Sequence, residues 1–299
     1  MYPAPIEEIH SPGTIEEALT LLARAEEREV MAIAGGMSLM QAIKSRVVRP
    51  DVVVDLNRVD ALSGVVGADE AIEIGAMTRY AELARNPLLR DGAFAAVSDA
   101  ASRVGDRQVR NRGTIGGSLC WNYVAACIPT ATLALGGEIE LRWFGSSGVE
   151  TRLLSIDDFL IGPLETAREL HELLSCVRLR APRPETGSAY KKWGLATASL
   201  PVIGIGVRIT LDDSGRCANT RVAATGLTNG TKRLTVAEEA INGIEAADGV
   251  ALCAAFAAAA RDVEVQGDRW ANENYRRMLV ERIGAEVART AIERAGRKK

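Results

Sequence analysis

Two short glycine-rich segments, the first set where a strand-like run gives way to a helix-like one, constrain this chain more than any other feature. The first is Ala34-Gly35-Gly36-Met37-Ser38-Leu39. Its glycines permit positive φ and let main chain approach a neighbour closely. The helix start that follows presents unpaired N–H groups at the positive end of a dipole, which suits a pyrophosphate. A tight strand-to-helix turn with no ligand fits the same residues. The second is Asn111-Arg112-Gly113-Thr114-Ile115-Gly116-Gly117-Ser118, preceded by Arg107 and Arg110. A loop of that composition can donate main-chain and side-chain hydrogen bonds to phosphate or to a polar ring edge. Either segment alone is ambiguous, whereas the two together suit a clamp around a diphosphate.

Several other chemistries are excluded. No GxGxxG follows the first strand, so the Rossmann fingerprint is absent. Gly204-Ile205-Gly206 sits inside a strand-like run and needs only a packing explanation. There is no P-loop and no GxSxG elbow. The two histidines, His10 and His171, rule out a multi-histidine metal site within the chain. No pair of acids stands out as an acid/base dyad. The expectation is therefore no catalytic side chain, no metal, and a redox cofactor that brings its own reactivity.

Composition narrows the class further. The chain has 299 residues, 47% hydrophobic and 25% charged, which is ordinary for a globular protein of about two domains. Its net charge of -3 and 4% aromatic content argue against nucleic-acid binding. The longest apolar run, Val250 to Ala260, is too short to span a bilayer. Met1 to Pro5 shows no signal-peptide pattern, so a cytoplasmic location is expected. Cys120, Cys127, Cys176, Cys217 and Cys253 form no CxxC. They are expected to be reduced and mostly buried.

The pattern along the chain divides it at residues 1–56, 57–180 and 181–299. Thr14 to Glu17 reads as a capping box opening a helix. Val30 to Ala34 and Val52 to Leu56 read as strands, with a helix over Ser38 to Ser45 between them. Ala71 to Gly75 is strand-like, and Thr78 reads as the cap of a helix to Ala84. Leu88 to Val104 and Thr130 to Leu135 read as helices, and Glu138 to Arg142 as a strand. The loop Ala181 to Gly187 is the best linker. Val202 to Leu211 and Arg216 to Thr225 read as a hairpin about Asp212 to Gly215. Thr235 to Glu238 reads as a second capping box, and Asn274 to Ala295 as the last helix. The basic excess of the final segment reads as a solvated helix face and a frayed tail.

The two glycine segments, in this order and separation, resemble the FAD-binding medium subunits of the molybdenum hydroxylases, the xanthine dehydrogenase and carbon monoxide dehydrogenase family. The family's AGGxSL and RNxGTIGG[NS]L patterns match Ala34 to Leu39 and Arg110 to Leu119. Gly75-Ala76-Met77-Thr78, Ser188 to Trp193, Asp268 to Ala271 and Tyr275 to Arg277 extend the likeness over the whole chain.

The resemblance implies an α+β fold. Two subdomains of the vanillyl-alcohol-oxidase (PCMH) type hold FAD, and a C-terminal α+β domain with an antiparallel sheet follows. It implies that Ala32, Ile33, Ala34, Gly35, Gly36, Met37, Ser38 and Leu39 hold the pyrophosphate from one side. Thr114, Ile115, Gly116, Gly117 and Ser118 would hold it from the other and reach toward the flavin. Thr78 would contact ribityl or phosphate. Lys192 would approach the cofactor, with Lys191 the alternative one register away.

Relatives often carry a DPxxD-like stretch after the second loop; here Tyr123 and Cys127 stand where its aspartates would be, which puts a ribose contact in doubt. Cys120 and Cys127 cannot supply the four thiolates of an iron–sulfur cluster. The implied role is an electron relay: a small subunit's two [2Fe–2S] clusters reduce FAD, FAD reduces an external acceptor, and a large subunit with the molybdenum cofactor oxidises the substrate. The implied assembly is a dimer of heterotrimers. Two other readings are a free-standing FAD oxidoreductase and a module of the same fold without FAD.

Overall fold

The structure is a computed structural model that describes residues 3–68, 71–181 and 183–297. Met1, Tyr2, Pro182 of the expected linker and the Lys298–Lys299 end of the basic tail lie outside them.

The first layer is a three-stranded parallel sheet with one covering helix. Its elements are β1 (Glu8–His10), α1 (Ile15–Leu22), β2 (Val30–Ile33), α2 (Leu39–Lys44) and β3 (Val52–Asp55), in strand order β1-β3-β2. The expected capping box opens α1: Thr14 Oγ1 accepts from Glu17 N at 3.1 Å. Glu17 reaches back one residue further than expected, to Gly13 N at 2.7 Å. Ala18, Leu19 and Leu22 pack at helical spacing onto Val30, Val52 and Val54. The central strand is apolar at every position but its last, as a parallel strand covered by neighbours must be. Strand β1 was not legible, because it is only three residues long and its one apolar residue, Ile9, is exposed.

The middle of the chain builds a five-stranded antiparallel sheet, order β4-β5-β10-β6-β7. It contains β4 (Val65–Ala68), β5 (Ala71–Gly75), α3 (Tyr80–Leu83), α4 (Ala95–Arg103), α5 (Arg107–Arg112), α6 (Ile115–Trp121) and α7 (Cys127–Leu135). There follow β6 (Glu138–Gly145), β7 (Gly148–Ser155), α8 (Ile156–Phe159), β8 (Leu160–Gly162), β9 (Glu165–Thr166) and β10 (Leu173–Arg180). Strand β4 was not expected. The expected helix over Leu88–Val104 is two short 3₁₀ turns followed by α4, since Asp91-Gly92 interrupts it with a glycine at φ +70°. Thr78 does not cap a helix either; α3 begins two residues later behind Arg79.

The last third is β11 (Thr186–Trp193), β12 (Ile203–Leu211), β13 (Cys217–Leu227) and β14 (Gly230–Arg233), an antiparallel sheet in chain order, with α9 (Thr235–Ile241), α10 (Gly249–Asp262) and α11 (Glu273–Ala295). The expected hairpin joins β12 to β13; Asp212 Oδ1 accepts from Ser214 N and Arg216 N at 2.9 Å each and closes its turn. The second capping box is not formed. Leu234 precedes α9 without a side-chain cap, and the Glu238 carboxylate instead accepts from Val222 N and pairs with Arg233.

Strand β11 joins this sheet to the middle of the molecule because its faces alternate. Ser188 Oγ accepts from Ala96 N at 2.9 Å, and Lys192 donates to Arg103 O at 2.7 Å. On the other face Lys191 pairs with Glu286 of α11, and Trp193 Nε1 donates to Tyr275 Oη at 2.9 Å. Gly187 has no side chain because a Cβ there would lie 2.1 Å from Ala291 O.

Helix α7 is buried along all nine residues. Its last carbonyls meet two arginines from the C-terminal sheet: Leu135 O accepts from Arg208 Nη1 at 2.7 Å, and Leu133 O from Arg221 Nη2 at 2.9 Å. Burial pushes the Arg208 guanidinium down to about 10, helped by neighbouring Arg221 and Arg233. Gly204 and Gly206 carry the packing role expected of them. A Cβ at 204 would lie 2.2 Å from Tyr190 Oη, and one at 206 would lie 3.1 Å from Ala134 Cβ. The fold is α+β.

Gly284 tests the packing of α10 on α11. Helix propensity favours alanine in a helix interior by about 1 kcal/mol. A Cβ at 284 would lie 2.0 Å from the buried Phe256 ring, and overpacking of that kind costs about 1–3 kcal/mol. The clash wins, so Gly284→Ala is expected to lower the urea midpoint. A midpoint equal to or above wild type would show that the ring yields freely.

Candidate functional site

The two glycine segments meet. Strand β2 runs parallel to β3 with Ile33 opposite Asp55, and delivers the chain to the turn at Ala34–Ser38. Gly36 adopts φ +73°, which favours glycine. A Cβ on Gly35 would lie 2.0 Å from Arg112 O and 2.9 Å from Gly113 Cα. The first turn therefore packs its main chain directly on the second.

The amides of this first turn are free. From Gly35 to Leu39 none donates to an acceptor among the described residues, and the returning bonds begin only with Met40 N to Gly36 O at 3.2 Å. Ser38 makes no side-chain cap. Met37 and Ser38 are exposed, and Gly35 is buried. Ala32 and Ile33 lie in β2, opposite Val54 and Asp55, and Leu39 opens α2.

The second segment is not the loop expected from its glycines. It is the end of α5, a break at Gly113-Thr114, and the first turn of α6. Thr114 caps α6, its Oγ1 accepting from Gly117 N at 3.1 Å. Gly113 O accepts from Tyr80 N at 3.0 Å, Ile115 N donates to Thr78 O at 3.2 Å, and Gly116 N to Ala76 O at 2.9 Å. The glycines make these approaches possible. A Cβ on Gly113 would lie 2.3 Å from the Tyr80 ring, and one on Gly116 would lie 2.6 Å from Ala76 Cβ. Most amides of this segment are thus spent inside the protein, and that of Thr114 has no acceptor among the described residues. Ser118 N donates to Thr114 O at 3.2 Å, and burial pushes the Tyr80 phenol up to about 12.

Two residues that sequence reasoning passed over span both turns. Asn57 Nδ2 donates to Ala34 O at 3.0 Å. The Arg79 guanidinium donates to Arg112 O and to Asn57 Oδ1. Burial lowers its pKa, and Arg112 nearby adds to that. Arg79 directly follows the Gly-Ala-Met-Thr segment, but nothing in its spacing marks it.

The remaining expected residues are placed less simply. Thr78 is fully buried; its hydroxyl accepts from Gly64 N at 2.9 Å and lies 3.0 Å from Gly64 O, to which it donates. A ligand contact there would have to displace one of those bonds. Lys192 faces the middle sheet and Lys191 faces α11, so strand alternation separates the two registers. The Lys192 ammonium donates to Arg103 O, Thr197 O and Ser199 O at 2.7, 3.0 and 2.7 Å. Burial lowers its pKa.

Tyr123 is exposed, and Cys127 is buried at the start of α7. Burial pushes the Cys127 thiol up. It faces the Tyr190 hydroxyl, which finds no partner of good hydrogen-bond geometry. Of the five free cysteines only Cys127 and Cys217 are buried, fewer than expected. Among the described residues no group of three or more His, Cys, Asp or Glu could hold a metal, and no helix is long and apolar enough to cross a membrane.

A run of main-chain amides without acceptors among the described residues, closed against the turn between α5 and α6, has the chemistry of an anion-binding protein. Comparison with known proteins makes this specific. Residues 5–182 match the FAD binding domain in molybdopterin dehydrogenase, and residues 188–291 the CO dehydrogenase flavoprotein C-terminal domain. The chain is 29% identical to the nicotine 6-hydroxylase medium subunit of Paenarthrobacter nicotinovorans, over 96% of each chain. It is 33% identical to the nicotinate dehydrogenase FAD-subunit of Eubacterium barkeri, over 70% of this chain and 71% of that one. Among solved structures, a chain of the carbon monoxide dehydrogenase from Hydrogenophaga pseudoflava superposes with a TM-score of 0.88 at 28% identity, covering 98% of this chain and 99% of that one. The chain belongs to the FAD-binding medium subunits of the molybdenum hydroxylases.

Gly35→Ala is expected to separate the two turns, since Arg112 O occupies the space of the new methyl. FAD affinity should fall at least tenfold, or about 1.4 kcal/mol, in a titration that follows flavin fluorescence. Affinity equal to wild type would mean that the contact between the turns does not matter for binding.

Proposed function

We propose that this chain is the electron-transfer subunit of a heteromeric molybdenum hydroxylase. In this reading FAD lies against the two turns and passes electrons from the [2Fe–2S] clusters of a small subunit to an external acceptor. A large subunit with the molybdenum cofactor oxidises the substrate, and the assembly is a dimer of heterotrimers. The observation that carries the reading is the run of unpaired amides from Gly35 to Leu39, held against the Arg112–Gly113 peptide. A cradle of donors with no side chain in the way fits a diphosphate.

FAD, when bound, supplies redox chemistry in one-electron and two-electron steps. The protein's part is to hold and shield it. Ala32 to Leu39 give the amide side of the cradle. Thr114 to Ser118 give the opposite wall, kept rigid by the bonds of Ile115 and Gly116 to Thr78 and Ala76. Lys192 adds a positive charge nearby, and Thr78 supports the wall through Gly64. No side chain need act as acid or base toward the substrate, which is oxidised on another chain. Units at 1–56, 57–180 and 181–299, working in the cytoplasm, belong to the same reading. Each unit holds most of one of three apolar clusters, the first reaching on to Val59, Leu62, Met77 and Leu173 and the second to Tyr190 and Ala223.

The test is purification of the chain with whatever assembles on it. The expected product is yellow, with flavin absorbance near about 450 nm after correction for iron, and with molybdenum and iron in stoichiometric amounts. A complex that carries the metals but no flavin would overturn the electron-relay role. A yellow chain that turns over substrate alone would point to a free-standing oxidoreductase.

A further inference from the structure

We propose that Arg79, together with Asn57, is a positioning residue that locks the two turns together and makes the cradle favour an anion. The inference rests on the reading above only for the identity of the ligand. Each turn brings an acceptor as well as donors into the region where they meet. Arg112 O lies 2.0 Å from where a Cβ of residue 35 would be, and Ala34 O belongs to the first turn itself. A bare carbonyl oxygen beside the free amides would repel an anion. Both oxygens are instead occupied: Arg79 donates to Arg112 O, and Asn57 Nδ2 donates to Ala34 O. The second arm of the guanidinium donates to Asn57 Oδ1, so the two side chains form one bridge. The Asp55 carboxylate belongs to the same cluster, its Oδ1 accepting from Asn57 N at 3.0 Å and from Asn57 Nδ2.

The bridge is also charged. Among the described residues Arg79 forms no direct ion pair, but both Arg112 and the Asp55 carboxylate lie near it, the first lowering its pKa and the second raising it. Arginine stays protonated in such surroundings, and the two guanidinium groups outnumber that one carboxylate, which favours an anion. Its planar fork reaches two acceptors in two directions, which a lysine cannot do with the same geometry. Arg79 also lines an open cleft of about 540 Å³ with Glu82, Arg85 and Asn111, so the group is accessible from solution.

The test uses the full chain stripped of flavin, with ADP and FAD as separate probes in calorimetric titrations. Arg79→Gln is expected to weaken both by about tenfold, as loss of a charge-assisted contact does. It should also flatten the dependence of ADP affinity on ionic strength, a response that a purely structural role would not alter. Arg79→Lys should restore the salt response and part of the affinity. Where Arg79→Gln does not fold by circular dichroism, Asn57→Asp carries the test. It keeps the size of the side chain and adds a negative charge, and ADP affinity should fall by at least as much.

A folded Arg79→Gln protein that binds ADP as wild type does, with the same salt response, overturns this inference and leaves the flavin reading standing. So does unchanged affinity in Asn57→Asp. A wild-type chain that binds ADP in an Arg79-dependent way but does not bind FAD upholds the inference and overturns the flavin reading.

Discussion

A peptide carbonyl seated where a side chain would otherwise begin is the contact on which the rest of this structure depends. Gly35 comes from the turn after β2, in the parallel sheet. Arg112 comes from the end of α5, in the layer built on the antiparallel sheet. They touch because residue 35 ends at its Cα. The same device recurs twice in the second segment, where Gly113 accepts the Tyr80 ring and Gly116 accepts Ala76. Each of these glycines is required by a neighbour rather than by its own φ. Gly36 is the exception, since its positive φ turns the chain into α2. The motif therefore encodes a packing of main chain on main chain.

The C-terminal sheet holds the second segment in place from behind. Helix α7 follows α6 directly and is buried on all sides, so its terminal carbonyls cannot turn to water. Arg208 and Arg221 satisfy them, at the cost of taking Arg208 out of solvent. An unpaired buried carbonyl costs about 1–3 kcal/mol, so the guanidinium groups offset a penalty that an apolar neighbour could not. Strand β11 completes the support. Through Ser188 and Lys192 it is bonded to both ends of α4, and Lys192 also gathers the β11–β12 loop by its Thr197 and Ser199 carbonyls.

The parts legible in the sequence were those governed by short-range rules. The Thr14 cap, the alternating hairpin β12–β13 and the strand–turn–helix at Ala34–Leu39 all follow from local pattern. The second glycine segment was harder. Three glycines in eight residues look like a loop, yet Thr114 caps a helix whose first turn tolerates Gly116 and Gly117 because their amides bond to Ala76 O and Thr114 Oγ1. Thr78 looked like a helix cap because it precedes a helical run, but its hydroxyl is taken by Gly64, fourteen residues earlier. The same holds for Glu238, which pairs with Arg233 and Val222 instead of closing a capping box. Arg79 and Asn57 were invisible for a similar reason. Their importance comes from what tertiary structure places beside them, and a lone arginine after a threonine carries no local signal.

The departure from the family pattern at Tyr123 and Cys127 can now be placed. Tyr123 is exposed, whereas Cys127 lies at the buried start of α7, beside Tyr190. A thiol is a weak acceptor. Among the described residues the Tyr190 hydroxyl beside it has no partner of good geometry, and the Lys192 ammonium donates to three main-chain carbonyls. Neither change reaches the amides of Gly35 to Leu39 or the Arg79–Asn57 bridge, which are built from other elements.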